Sequence, residues 1–538
     1  MTDIEIPLQK DKTKSYRFFE MLPGLLSWLF LFMPFILSLI NVTAAVIFIL
    51  AYLLLWFIRS LGIDIRAFQG YKIMKLHQGL DWTSLLSELQ TGKVATGAIR
   101  PDWHFANIDR LKLHPEANRP DDLYNVAMVA IYNESKDVIE PTIQTIVNST
   151  YDTKKIILVI AYEERGGPRT EKITKEIIET YKDKFFYAVA IKHPKDIPNE
   201  IIGKGGNITY AAKELKKFLE LKKIDPIKVI VTTLDSDNRP DKNYFSALSY
   251  TFSACIDPLH ISFQPIPMYT NNIWDVPAPM RVIATGNSFW NVVLSLRPHM
   301  LRNFSSHAQS MQSLIDTDYW STRTIVEDGH QYWRTYFRFD GKHQVYPIYT
   351  PIYQDAVFSS TYTKTLKAQF IQLRRWTYGA SDVAYVAQKG FLTKNNVPKI
   401  DMIFKFLRLL EGHVTWAVAP VLLAFSAFIP ALLNPQNYAA NELPIVVSRI
   451  QTVALAGIIA TLFISIKTLP PKPAHYKSHK NIFMVLQWVY LPVTTIVYSS
   501  FSAFYSQTRL IFGLYYDKFD VTDKAVVVKN KDSTTRTS

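Results

Sequence analysis

Long unbroken apolar runs lie at both ends of the chain, and short ones fill the middle. Leu22 to Ile40 is almost free of charge and long enough to cross a bilayer, which takes about 20 residues. Ala44 to Ile58 follows after Asn41-Val42-Thr43, so the two runs predict a tight helical hairpin. They do not read as a signal peptide, because the first run is too long and a second follows at once. A second apolar block begins near Lys399. Phe404, Leu407 and Leu410, mixed with Lys405, Arg408 and Glu411, predict an amphipathic lead-in lying on the membrane surface. Val414 to Leu433 and Val453 to Ile466 read as the next spans. Ile482 to Phe512 carries Pro492 in its middle and reads as one span, a Pro-broken pair or a re-entrant segment. Lys529 to Ser538 is polar, and disorder is expected there.

Between these blocks the period changes. Val126–Ile131, Ile156–Ala161, Phe186–Ile191 and Val229–Leu234 are short apolar runs that read as buried strands. Helical spacing separates them. Val138 to Val147 is one helix, Ile173, Ile177, Ile178 and Tyr181 share a face of a second, and Ala211, Leu215, Phe218 and Leu219 lie on a third. Alternating strands and helices predict a parallel sheet covered on both faces, with ligands bound at the carboxyl ends of its strands. The organisation expected is a tail and hairpin over 1–75, a cytosolic linker over 76–120, an α/β domain over 121–398, an interfacial helix and spans over 399–516, and a polar tail over 517–538.

Charge orients this arrangement. Lys10, Lys12, Lys14 and Arg17 precede the hairpin, and Arg59, Arg66, Lys72 and Lys75 follow it. Both ends of the hairpin, and the α/β domain with them, are therefore expected in the cytoplasm. The loop Lys467 to Lys480 carries Lys467, Lys472, Lys477 and Lys480 and is expected on the same side. The net charge of +14 suits inner loops facing anionic lipid. No zinc-knuckle spacing or basic-aromatic motif points to nucleic acid. A single cysteine, Cys255, excludes an internal disulfide and thiolate zinc ligation.

The candidate chemistry follows the strands. Asp235-Ser236-Asp237 ends the fourth run, and two carboxylates one residue apart suit Mg²⁺ or Mn²⁺ bridged to a diphosphate. Tyr132-Asn133-Glu134 and Glu163-Glu164 end the first two runs. Gly203-Lys204-Gly205-Gly206-Asn207 opens a helix whose N-terminus attracts phosphate, with Lys204 adding charge. Glu327-Asp328 offers a general base, with Asp328 favoured over the nearby His330. Gln372, Arg375 and Trp376 fall at i, i+3 and i+4 on one helix face. The arginine can stabilise a leaving diphosphate, and the tryptophan offers a flat face to a sugar ring.

Taken together, these motifs resemble those of the membrane-integrated, inverting family 2 glycosyltransferases such as cellulose, chitin and hyaluronan synthases. The resemblance covers roughly residues 120 to 400 and the flanking helices. Val126 to Glu134 is similar to the family's first strand and Tyr-Asn-Glu turn, and Asp235 and Asp237 to its metal-binding Asp-x-Asp. Lys204 and Asn207 resemble its donor segment, Val326-Glu327-Asp328 its Thr-Glu-Asp with Asp328 as the base, and Gln372, Arg375 and Trp376 its Gln-x-x-Arg-Trp. Two positions depart. Tyr162-Glu163-Glu164-Arg165 stands where the family has an Asp-rich turn at the nucleobase or ribose, and Val326 replaces the motif's threonine. No appended cyclic-dinucleotide domain is recognised.

The resemblance implies a GT-A fold, a Rossmann-like mixed sheet between membrane helices. It implies a metal-dependent transferase that moves sugar from a nucleotide donor, most often UDP-linked. Donor contacts are expected from Tyr132, Asn133, Glu134, Glu163, Glu164, Lys204, Asn207, Asp235, Gln372 and Arg375, and acceptor contacts from Trp376 and His330. The acceptor is a growing β-linked polysaccharide exported across the membrane or, as in ceramide glucosyltransferases, a lipid receiving one sugar. Sugar, linkage, export partner and oligomeric state stay open.

Overall fold

The structure, a computed structural model, describes residues 4–114, 116–454, 456–473, 476, 481–519, 526–529 and 534–537. Its centre is an eight-stranded mixed sheet: β1 (Tyr124–Ile131), β2 (Ile156–Glu163), β3 (Tyr187–His193), β4 (Val229–Asp235), β5 (Arg239–Pro240), β6 (Ile261–Met268), β7 (Ala308–Ser310) and β8 (Gln344–Tyr353), in the order β3-β2-β1-β4-β7-β6-β8-β5. β1 to β4 are mutually parallel where they pair. The short β7 runs antiparallel to both β4 and β6, and β6 and β8 are parallel again.

The first four strands form where the apolar runs predict them; β1, β2 and β4 are buried on both faces of the sheet and so read as continuous hydrophobic sequence, while β3 is a half-buried edge strand. Ile156 to Glu163 is buried along its whole length. In register, Ala130 of β1 lies beside Ala161 of β2 and Asp235 of β4. The turns after these three strands therefore emerge level with one another. The helices Lys136–Val147, Gly167–Tyr181 and Lys204–Lys222 join the strands. Residues 76–120, expected as a linker, include two helices. Their helices Trp82–Thr91 and Asp102–Leu113 place Trp82, Leu85, Leu89, Ile108 and Leu111 in the same core as β1 and β2.

Among the described residues, four helices are long and apolar enough to cross a membrane: Lys14–Ile40, Val42–Gly79, Lys399–Phe425 and Ile482–Ile511. One detail differs from the expectations. The surface lead-in runs without a break into the span after it as one helix, Lys399–Phe425, followed by the separate short helix Phe428–Leu433; Gly412 at the junction weakens a helix by only about 1 kcal/mol and does not end it. The expected span Val453–Ile466 lies in helical residues on both sides of position 455, which is outside the described residues. Among the described residues of the tail, Val526–Lys529 pairs antiparallel with Thr534–Thr537. Lys477 and Lys480 of the expected inner loop lie outside the described residues.

Candidate functional site

The turn after β4 is built by short polar contacts. Asn238 Oδ1 accepts the Asp235 backbone N–H at 2.6 Å, and Ser305 Oγ donates to Asp235 Oδ2 at 2.6 Å. Asp237 is buried and accepts the Asp355 N–H at 3.2 Å. The turn after β1 is tied to it through Glu134. One Glu134 oxygen accepts the backbone N–H groups of Tyr132 (2.8 Å) and Asn133 (3.2 Å), and the other accepts Ser236 Oγ at 3.0 Å. Glu134 therefore holds two strand-end turns in one geometry.

Lys204 opens the helix Lys204–Lys222, and its Nζ lies 2.7 Å from Asp235 Oδ1. Gly205 makes this approach possible. A Cβ there would stand 2.3 Å from the Ser321 carbonyl oxygen and 3.2 Å from Glu327 Cβ, so only glycine lets the two helix starts come together. Glu327 and Asp328 form the first turn of the helix Glu327–Arg338, where the helix dipole favours carboxylates. Asp328 Oδ1 also accepts the Gly329 N–H at 2.7 Å.

The electrostatics follow from this crowding. Burial pulls the Lys204 ammonium down, but Asp235, Glu327 and Asp328 outweigh it and hold the group above its ordinary value. Burial, then the charge of Asp328, pushes Glu327 up. Burial also raises Asp328, against Lys204, the Gly329 N–H and Arg375, which favour its ionised form. Arg375 lies on the helix Tyr362–Thr377, and its guanidinium packs 3.8 Å from the Phe519 ring centroid.

Tyr269, just past β6, marks the middle of the group. Burial first, then Asp235, Asp237 and Asp328, raise its hydroxyl, and Arg375 lowers it. Trp376 lies beside this tyrosine, ring centroids 5.9 Å apart. Tyr269 and Ser305 belong to no motif. The one signal for Tyr269 was its place after the apolar run Ile261–Met268.

The structure thus brings together Asp235, Asp237, Lys204, Glu327, Asp328, Arg375 and Trp376. Other expected residues are engaged elsewhere. His330 is fully buried, with Nδ1 2.7 Å from Asp382 Oδ1 and its ring against Tyr385. Although it follows Asp328 by two positions, it packs into the helix interface and presents no surface to an acceptor. The buried Asn207 amide donates to the carbonyls of Ala161 (2.9 Å) and Ile131 (3.4 Å), tying the ends of β2 and β1. Glu163 is held by Arg165 Nη2 at 2.7 Å and His193 Nδ1 at 3.2 Å. Glu164 accepts the Lys195 N–H at 3.0 Å, and Gln372 accepts from Gln369 Nε2 at 3.1 Å. His193 also meets Glu200 at 3.1 Å. Burial lowers its imidazole, but the two carboxylates prevail and push it up to about 9.

Among the described residues, no group of three or more His, Cys, Asp or Glu side chains is arranged to hold a metal alone. The residues present still fit a divalent ion that takes its remaining ligands from a substrate. Asp235 and Asp237 are two oxygen donors at one turn, and carboxylates outnumber cations in the cluster around them.

No protein-family model matches the chain, and no curated protein matches it. Among solved structures it is similar in part to the mannosyltransferase PcManGT from Pyrobaculum calidifontis in complex with GDP-Man and Mn²⁺, 15% identical, covering 75% of this chain and 99% of that chain at a TM-score of 0.40. It is also similar to TarS 1–349 from S. aureus in complex with UDP-GlcNAc, 13% identical, covering 76% and 95% at a TM-score of 0.32. GalNAc-T7 with UDP, GalNAc and Mn²⁺ is 11% identical, covering 54% and 55% at a TM-score of 0.30. Likeness this loose assigns no activity to the chain.

Proposed function

We propose that the protein is a membrane-embedded, inverting glycosyltransferase that moves a sugar from a nucleotide donor, UDP-linked, to a growing β-linked polysaccharide on the cytoplasmic side. The observation that carries this reading is the convergence of Asp235, Lys204, Asp328 and Arg375 beyond the ends of the parallel strands. That one place offers oxygen ligands for a cation, charge for a diphosphate and a carboxylate suited to take a proton.

Inverting transfer is a single displacement. Asp328 accepts the proton of the acceptor hydroxyl as its oxygen bonds to the anomeric carbon, and the bond from that carbon to the diphosphate breaks. Burial raises Asp328, which makes it a stronger base than a free aspartate while Lys204 and Arg375 keep it ionisable. The negative charge that grows on the diphosphate is met by Arg375 and by the first turn of the helix Lys204–Lys222. Asp235 and Asp237 would hold a Mg²⁺ or Mn²⁺ ion, which supplies further neutralisation of that charge when bound. Tyr269 and Trp376 offer aromatic faces to a sugar ring.

The placement of the site supports an acceptor that enters the membrane. The helix bearing Arg375 packs directly on a candidate span: Thr377 Oγ1 donates to the Ser502 carbonyl at 3.1 Å and Ser506 Oγ to the Arg374 carbonyl at 2.6 Å. The long apolar helices expose much of their apolar surface, Leu39 at 75% and Ile40 at 78% among them, as lipid contact requires. The same placement also suits transfer of one sugar to a membrane lipid, which is the second reading.

UDP release by the full chain in native lipid, with Mg²⁺ or Mn²⁺ and a panel of UDP-sugars, tests the proposal. Metal-dependent release with one donor supports the transferase. Polymer among the products supports the first acceptor reading. A lipid-extractable product bearing one sugar and no polymer overturns it in favour of the second.

A further inference from the structure

Away from the strand ends, three elements bring positive charge together. The helix Val42–Gly79 supplies Arg59 and Arg66, the turn after the helix Ala278–Ser295 supplies Arg297, and the helix Lys399–Phe425 supplies Arg408. Their juxtaposition is built by packing. Gly70 lies so close to Val292 that a Cβ would stand 2.6 Å from Val292 Cγ1, which docks the first element on the second. Arg408 Nη1 donates to the His299 carbonyl at 3.3 Å, joining the third. Arg59 meets Glu411 at 2.6 Å.

Glu411 is thereby spent on Arg59. The ionised neighbours that act on Arg297 are Arg66, Arg408 and Arg59, all positive. Burial and then these arginines lower the Arg297 guanidinium, and burial followed by Arg408 and Arg297 lowers the nearby His299 imidazole. A fold that packs like charges together leaves a repulsion that a bound anion relieves.

Apolar side chains flank the arginines. Ile58 (60% exposed) and Ile65 (60%) stand beside Arg59 and Arg66, and Phe404 (65%) and Leu407 (53%) beside Arg408. Guanidinium groups bordered by exposed aliphatic and aromatic surface match an amphiphile, a phosphate head with acyl chains, better than a free anion. We propose that Arg66, Arg297 and Arg408 form a binding site for the phosphate headgroup of an anionic phospholipid, seated where the helices Val42–Gly79 and Lys399–Phe425 meet the cytoplasmic domain. This inference rests on the reading of those helices as membrane-embedded and is independent of the transferase chemistry.

The test compares binding of phosphatidylglycerol, phosphatidylcholine and inorganic phosphate to the full detergent-purified chain by native mass spectrometry and thermal shift. The wild type is expected to retain phosphatidylglycerol over phosphatidylcholine. The variant Arg66→Gln/Arg297→Gln/Arg408→Gln is expected to bind phosphatidylglycerol at least about tenfold more weakly. Its lipid-free melting temperature should be unchanged or raised, because repulsion is removed. The variant Lys72→Gln/Lys75→Gln, lower in charge on the same first helix, should bind within about twofold of wild type. If the arginine variant does not fold, equal weakening by Lys72→Gln/Lys75→Gln still overturns the site in favour of general charge. Unchanged binding by the arginine variant overturns it, as does equal wild-type binding of the two lipids. Inorganic phosphate displacing phosphatidylglycerol at equal concentration overturns the choice of a lipid. A chain that remains soluble without detergent contradicts the membrane reading itself, a result distinct from all of these.

Discussion

Lys204 and Arg297 are both cations drawn partly out of water, and their surroundings are opposite. Burial lowers each. Around Lys204 the neighbours are Asp235, Glu327 and Asp328, and the group ends above its ordinary value. Around Arg297 they are Arg66, Arg408 and Arg59, and the group ends below it. The first cluster contains its own counter-charges, so its donors and acceptors hold position before a substrate arrives. That is the condition for electrostatic catalysis without reorganisation. The second has one carboxylate, Glu411, already paired with Arg59, beside four partly exposed arginines, so an anion from outside the chain would meet the excess positive charge.

Four changes sharpen or break this contrast. Asp328→Asn removes the proposed base while keeping the side chain's shape at the helix start. Sugar transfer should fall by about 10²- to 10⁴-fold with nucleotide binding retained, as seen by turnover beside calorimetric UDP binding. Asp235→Asn/Asp237→Asn takes away the oxygen charges at the β4 turn. A metal titration of activity should shift to higher concentration by about tenfold or more.

His193→Asn probes a third arrangement, one cation between Glu163 and Glu200. Because the folded imidazole is raised from 6.5 to about 9, its stabilisation is full below its unfolded value and fades as pH rises through about 9. The variant should lose about 3 kcal/mol at pH 6 and little above pH 9, measured by denaturant unfolding of both proteins across that range. Lys204→Met leaves the carboxylates without their cation. Lys204 favours ionised Asp328, so the acid limb of the pH–rate profile should move to higher pH. A limb that stays in place would separate the lysine from the base.

The same contrast explains what could be read from the chain. β1, β2 and β4 are strings of mostly apolar residues buried on both faces, β3 is a half-buried edge strand, and the ends of all four fall close to the expected positions. Asp235, Asp237 and Lys204 were legible because each follows a strand or opens a helix, and Asp328 through its paired-acid motif. The second half of the sheet was not. β6 contains Pro265 and Pro267, with a register shift at Pro265/Ile266, and β8 contains Pro347 and Pro351. Proline in a strand argues against a strand, and tertiary packing overrode that local signal. β7 is three residues, too short to show a period. Tyr269 and Ser305 reach the carboxylates through this half and so went unseen. His330 misled because nearness in sequence hides direction: two positions along a helix turn a side chain away by about half a circle. Asn207 carries the right chemistry for a ligand contact, yet the ends of β1 and β2 claim its amide first.

The central claim is that the cluster around Asp235 and Asp328 transfers sugar from a nucleotide donor. Its most direct measurement is UDP release from UDP-sugars by the purified full chain, in native lipid, with and without Mg²⁺ or Mn²⁺. Release that requires the metal and favours one sugar is the predicted result. No release above background with any UDP-sugar, from a preparation that melts cooperatively, would contradict it.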